Sequence, residues 1–376
     1  MIHITKPLLG EPEQHAACEA IASGWVTQGP RVAAFERAFA EYCGAKHAVA
    51  VSNCTTALHL ALLQAGVGPG DEVIVPTMTF IATANAVLYC GATPILAEVC
   101  PQDFNLDPEA IQPLINERTK ALLPVHQIGI PARMDALSKL AEEHGLLIIE
   151  DAACAIGSSY KGQKIGKPFG HSVCFSFHPR KVITTGEGGM ITTDDEQAAE
   201  HMRILRHQGM SISDTVRHAA KKVIFESYSC VGYNYRMTDI QAAIGMEQLK
   251  RLDGIVAARQ SRAARYDQAF ADLPGVKIVK APSEIVWNYQ CYAILITEQA
   301  KVSRDDFMQA MLDAGIATRR GITLIHREMP YAKSLGSRRL PQSDWAADHS
   351  VLLPMYPHME IEEQDQVISE TRQILS

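Results

Sequence analysis

Three stretches of this chain carry residue types suited to one kind of chemistry. Lys181 follows the apolar alternation of "VCFSFH" (173–178) and precedes the glycine-rich "TTGEGG" (184–189). Asp151 closes "LLIIED" (146–151), an apolar run that stops on two adjacent acids. "SNCTTALHLAL" (52–62) leads short hydroxyl and amide residues into an amphipathic helical pattern. Such a start leaves backbone N–H groups unpaired at a positive helix terminus, a natural phosphate site. A reactive amine, a carboxylate that stays charged only opposite a cation, and a phosphate cradle are the three attachments pyridoxal phosphate needs. Each stretch also has a plainer reading. Lys181 would be a surface lysine, Asp151 a helix N-cap, and Ser52 or Asn53 an ordinary cap. The chemical reading rests on the three agreeing.

Other chemistries find less support. "GVGPGDE" (66–72) lacks the third glycine of a dinucleotide fingerprint and precedes a strand, so it reads as a tight turn. "GQKIGKP" (162–168) has the wrong spacing for a P-loop. No HExxH, no GxSxG and no His or Cys pair at zinc spacing occurs, so no metal is expected. The 376 residues are 47% hydrophobic and 20% charged, ordinary for an enzyme with ample core, and the net charge of -7 gives no footprint for nucleic acid or anionic lipid. The basic cluster "RHAAKK" (217–222) is too short to alter that. Nine cysteines without a CxxC pair fit a reducing compartment, and "MIHITKPLLGEPEQ" lacks the pattern of a signal peptide, so a cytoplasmic protein is expected.

The elements that must position these residues follow from periodicity. Strands are expected at 47–52, 71–76, 93–99, 120–126, 146–152, 173–178 and 189–194, with helical stretches between most of them. "MDALSKLAEEHG" ends on a C-cap glycine. Near-continuous apolar strands alternating with helices predict an α/β fold with a mostly parallel sheet covered on both faces. The last two strands are joined by too short a segment for a helical crossover, which predicts one antiparallel edge strand. In such a sheet ligands bind beyond the carboxyl ends of the strands, where Asp151 and Lys181 would meet. After about residue 250 a long helical pattern, "MEQLKRLDGIVAARQSRAARYDQAFADL", leads to strand-like "YQCYAILI". Residues 1–250 are read as a large domain and 251–376 as a smaller α/β domain.

The motifs "WVTQGPRVAAFE", "GDEVIVPTMTFIATANAV", "EDAACAIGS", "FSFHPRKVITTGEGG" and "GYNYRMTDIQAAIG" resemble, in this order, the DegT/DnrJ/EryC1/StrS group of pyridoxal-phosphate aminotransferases. The resemblance covers nearly the whole chain. It implies the aspartate-aminotransferase architecture (fold type I), with a mixed, mostly parallel large-domain sheet, and a homodimer whose active sites are shared between subunits. It also implies Lys181 as the Schiff-base lysine, Asp151 as the partner of the pyridine nitrogen and Phe80 as the ring-stacking aromatic. Thr55, Thr56 and Ser176 would hold the phosphate, joined by Asn234 from the neighbouring subunit. Cys154 stands where the family usually has Gln, His or Glu near the cofactor's 3-oxygen, and a thiol is a weak donor there.

The implied reaction is ping-pong transfer of an amino group from L-glutamate to a nucleotide-linked ketosugar. "GYNYRMTDIQ" with "WVTQGP" resembles members acting at C4 of 4-keto-6-deoxyhexoses. Arg319, Arg320, His326 and Arg327 of "TRRGITLIHREMPY" are candidates for meeting a diphosphate, or are solvated surface charge. The alternatives are a cyclitol ketone as acceptor and a non-enzymatic regulator. A regulator would be free to lose Lys181, Asp151 and Phe80, all of which are present. Dehydratases on this fold carry histidine in place of the lysine.

Overall fold

The computed structural model describes residues 1–212, 214–335 and 339–376. The expected strands form as β1 (His47–Val51), β2 (Glu72–Pro76), β3 (Thr93–Ala97), β4 (Thr119–Leu122) and β5 (Leu147–Asp151). A two-stranded excursion follows, β6 (Ser159–Tyr160) and β7 (Gln163–Lys164), and then β8 (Ser172–Ser176) and β9 (Gly189–Thr193). The main sheet runs β1-β9-β8-β5-β4-β2-β3. Strands β3, β2, β4, β5 and β8 are mutually parallel. The antiparallel strand is β9, but it is not the edge: β1 pairs with its outer side, Val51 opposite Gly189. The short connection from β8 turns the chain back on itself, and β1 closes the sheet through a pairing that no local feature announces.

Both faces of this sheet are buried, which is why its strands read as nearly unbroken apolar runs. On β5, Ile148 faces a core with Phe35, Phe39 and Phe175, while Ile149 faces a core with Leu58, Leu60 and Ile191. The helix Cys54–Gln64 is buried on almost every side, with Cys54, Ala57, Leu58, His59, Leu60, Ala61 and Leu62 all covered. It is therefore not the amphipathic helix expected, because it lies between the sheet and the helices Ala82–Tyr89 and Glu196–Leu205. Gly145 ends the helix Met134–His144 at φ 63°, the left-handed cap the sequence calls for.

The long helical pattern near residue 250 divides into Asp239–Lys250 and Leu252–Phe270. Arg251 leaves helical geometry at the junction (φ -101°, ψ -2°) and its guanidinium pairs with Glu13. Beyond it come β10 (Val276–Ile278), β11 (Ile285–Val286), β12 (Tyr292–Ile296), β13 (Arg319–Arg320) and β14 (Ser350–Leu353). A second, antiparallel sheet runs β10-β12-β14-β13, whereas β11 pairs with β6. Its core gathers Tyr266, Phe270, Tyr292, Phe307 and Val367, and also Ile2, which bridges to Ile316. No helix among the described residues is long and apolar enough to cross a membrane.

Candidate active site

Gly189 shows how the sheet builds a phosphate-sized cradle. It lies between Val51 of β1 and Ser176 of β8 in the ladder. A Cβ there would come within 2.5 Å of the backbone carbon and oxygen of Asn53 and 2.9 Å of the Cys54 nitrogen. Only glycine lets the start of the helix Cys54–Gln64 settle this close to Ser176. Asn53, not Ser52, is the N-cap: its side chain accepts from the Thr56 N–H at 2.9 Å. The Thr55 N–H has no acceptor among the described residues, and both threonines are half-buried at the helix start. Thr55, Thr56 and Ser176 thus meet at one place.

Asp151 is the last residue of β5 at the same edge and is buried. No helix follows it, so the N-cap reading fails. Instead Asp151 Oδ1 accepts from the Ala153 N–H at 3.1 Å, and Oδ2 accepts from the Thr83 hydroxyl at 2.8 Å. Burial pushes the Asp151 carboxyl above its ordinary range, opposed by these two donors and then by the positive charge of Lys181. A buried carboxylate so placed is stabilised by a cation facing it. Thr83 also fixes Phe80, whose carbonyl accepts the Thr83 N–H at 3.1 Å, and the Phe80 ring is 65% exposed. An aromatic ring left open beside a buried carboxylate is suited to stack on a planar ligand.

Lys181 sits in the turn after β8, its N–H donating to the His178 carbonyl at 2.8 Å. The turn is braced where Phe177 donates to Gly188 (2.9 Å) and its carbonyl accepts from Thr185 (3.0 Å). Lys181 Nζ lies 3.2 Å from Cys154 Sγ. Burial pulls the Lys181 ammonium down, but the Cys154 sulfur, then Asp151 and Cys54, outweigh it, and the net displacement is upward. The amine, the carboxylate, the helix start and the open ring therefore converge on one edge.

The remaining expected residues differ in what they already bond. Asn234 is exposed, its backbone bridged to His207, while the neighbouring Tyr235 carbonyl accepts from the Ser52 N–H at 2.8 Å. His326 is buried between the Thr77 hydroxyl (2.6 Å) and Asp344 (3.2 Å). Arg327 forks onto Asp348 (2.6 and 2.9 Å) and also pairs with Asp344. Their polar groups are spoken for within the fold, which separates them from Arg319 and Arg320. Those two are exposed and have no acidic partner among the described residues. Arg180 is likewise exposed and without one, and Gln290 holds its carbonyl at 2.9 Å. Partial loss of solvent around the Arg319 guanidinium, and then the positive charge of Arg180, push it down.

Sequence reasoning missed Thr83, Asn288 and Asp239. Asp239 is fully buried, and its carboxylate accepts from the backbone N–H groups of Gly29 (2.8 Å), Val32 (2.9 Å) and Arg31 (3.1 Å). It caps the helix Pro30–Cys43 from 207 to 210 residues away, lacing the "WVTQGP" stretch to "MTDIQ". The co-occurrence of those two motifs was the available signal.

These residues fit pyridoxal phosphate on features of the fold itself. The cradle would be filled by any Cβ at position 189, the buried carboxylate calls for a cation, and the amine stands on a braced turn. Comparison with known proteins agrees. The model of the DegT/DnrJ/EryC1/StrS aminotransferase family matches residues 7–372. The chain is 41% identical to GDP-perosamine synthase of Caulobacter vibrioides, covering 100% of this chain and 98% of that one. It is 39% identical to the spore coat polysaccharide biosynthesis protein SpsC of Bacillus subtilis, over 98% and 96%. The putative sugar aminotransferase Spr1654 of Streptococcus pneumoniae, solved in its PLP form, superposes with a TM-score of 0.91 at 28% identity, covering 99% of this chain and 97% of that one. A PMP form of the same protein superposes equally well. The chain belongs to the DegT/DnrJ/EryC1/StrS family and is a pyridoxal-phosphate-dependent sugar aminotransferase.

Proposed function

We propose that the enzyme moves an amino group from L-glutamate to a nucleotide-linked ketosugar, at C4 of a 4-keto-6-deoxyhexose, on the way to a surface polysaccharide. The observation that carries this reading is the likeness, over 100% of this chain and 98% of the other, to an enzyme named for a GDP-linked product. The name of SpsC supports the polysaccharide. The C4 assignment is supported by "GYNYRMTDIQ" and "WVTQGP", which Asp239 ties into one unit. Arg180, Arg319 and Arg320, grouped without acidic partners among the described residues, are suited to a diphosphate.

Bound pyridoxal phosphate supplies an electron sink for the donor's α-carbon. Lys181 would bond its aldehyde carbon, Asp151 would face its pyridine nitrogen, and Phe80 would cover the ring. Thr55, Thr56 and Ser176 would receive its phosphate. In the first half-reaction Lys181 Nζ removes the proton from the donor's α-carbon. In the second it delivers a proton to the sugar carbon that has received nitrogen. Asp151, held by Thr83 and Ala153, would keep a facing pyridine nitrogen protonated by charge.

The test is a panel: glutamate with nucleotide-linked 4-keto-6-deoxyhexoses, the matching 3-ketosugars and scyllo-inosose. The 4-ketosugar is expected to be aminated fastest; preference for scyllo-inosose would move the assignment to a cyclitol acceptor. The active unit is a homodimer in which Asn234 of each copy reaches the phosphate of the other. Its exposure on its own subunit supports this, as do the exposed Val223, Phe225 and Val231 just before it. Mixing inactive Lys181→Ala and Asn234→Asp chains should restore activity, because a mixed dimer holds one site free of both lesions. A mixture that stays dead after proven subunit exchange would put both residues in one subunit.

A further inference from the structure

Cys154 is mounted more rigidly than a packing cysteine needs to be. The Asn288 side-chain amide donates to the carbonyls of Cys154 and Ile156, both at 2.8 Å. The Asn288 N–H donates to Ser158 Oγ at 3.1 Å, and that hydroxyl donates to the Gly129 carbonyl at 2.7 Å. Asn288 and Ser158 are fully buried. At Gly129 even a methyl would come within 1.9 Å of Asn288 Oδ1 and 3.0 Å of the Cys154 carbonyl. The bracket leaves no slack, and it points one sulfur at one amine: Lys181 Nζ donates to Cys154 Sγ at 3.2 Å.

A lysine ammonium has three N–H donors on a flexible stem. Whenever the amine is not bonded to the cofactor, it needs an acceptor to hold it at the reacting edge. Asp151 would face the pyridine nitrogen, and both its oxygens already accept hydrogen bonds. We propose that Cys154 is a positioning residue for Lys181, its sulfur receiving an N–H of the released amine and keeping Nζ turned to the place where protons are moved. Cys154 thus acts on the lysine rather than on the cofactor's oxygen. The balance of influences on Lys181, with the Cys154 sulfur the first to oppose burial, agrees with the geometry.

The test reads the amine itself, in cofactor-free protein. Lys181 is labelled with trace acetic anhydride across a pH series, and the peptide carrying it is quantified by mass spectrometry in wild type, Cys154→Ala, Cys154→Val and Cys154→Ser. Loss of the sulfur should move the midpoint of Lys181 reactivity to lower pH, so that labelling at neutral pH rises severalfold. The serine variant should move it back toward wild type, because its hydroxyl again accepts an N–H. Cys291→Ala, which removes a neighbouring thiol whose hydrogen bond goes to Gln290 instead of Lys181, should move the midpoint less than Cys154→Ala does. A midpoint shared by wild type and the alanine variant, or by wild type and the valine variant should alanine fail to fold, overturns the proposal. So does a shift that serine fails to reverse, since that would mark altered packing rather than a lost hydrogen bond.

Discussion

Replacing Thr83 by valine tests the electrostatics of the site with little change of shape. The substitution removes the hydroxyl that donates to Asp151 Oδ2 at 2.8 Å and keeps a branched side chain of nearly equal size. A hydrogen bond to a charged group contributes about 1.5–3 kcal/mol. The Ala153 N–H remains, so Asp151 keeps one donor. Losing the other favours the protonated carboxyl, the direction in which burial already pushes it. A neutral carboxyl cannot hold a facing pyridinium by charge. If the whole loss is felt in the transition state, the glutamate half-reaction slows roughly 10- to 150-fold. Stopped-flow absorbance of that half-reaction is the assay. Thr83→Ser, which keeps the donor, should stay within about threefold of wild type on the same reasoning. Thr79, whose hydroxyl lies 3.0 Å from that of Thr83, supports the donor indirectly, and Thr79→Val should fall between the two. An unchanged rate in Thr83→Val would refute the claim that Thr83 maintains the charge on Asp151.

Asp151→Asn should separate stability from function. A carboxyl whose folded pKa is raised by burial contributes stability that is present below its unfolded pKa and lost as pH rises through the folded value. Above that folded value the charged carboxylate is a net cost to the fold, so the thermal midpoint of the cofactor-free asparagine variant should there match or exceed wild type, while turnover collapses. Gly189→Ala would drive a methyl into the Asn53 backbone, and titration with pyridoxal phosphate should show affinity reduced at least tenfold with the lysine chemistry intact. Asp239→Ala strips three backbone N–H groups of their buried acceptor and should destabilise the chain by about 3 kcal/mol or more, read by urea unfolding.

The large sheet was legible because burial on both faces writes each strand as an apolar run, and the seven runs appear where expected. Lys181, Asp151 and the helix start were legible because each ends such a run and so falls on one edge of the sheet. What escaped are contacts between distant positions. Thr83 reaches Asp151 across 68 residues, Asp239 reaches Gly29 across 210, and β1 pairs beyond β9. Nothing in the local pattern of a threonine or an aspartate marks such a partner. His326 and Arg327 show the converse: charge beside a candidate site looks available in the sequence, and only the fold shows Asp344 and Asp348 paired with it. The break at Arg251 was hidden for the same reason, since the ion pair with Glu13 that accompanies it spans 238 residues.

Borohydride treatment of the pyridoxal-phosphate-loaded protein, followed by mass spectrometry of its peptides, tests the assignment of the reacting amine most directly. The expected result is irreversible attachment of the cofactor at Lys181, and loss of that attachment in Lys181→Ala. Attachment at any other lysine, or none after incubation with the cofactor, would contradict it.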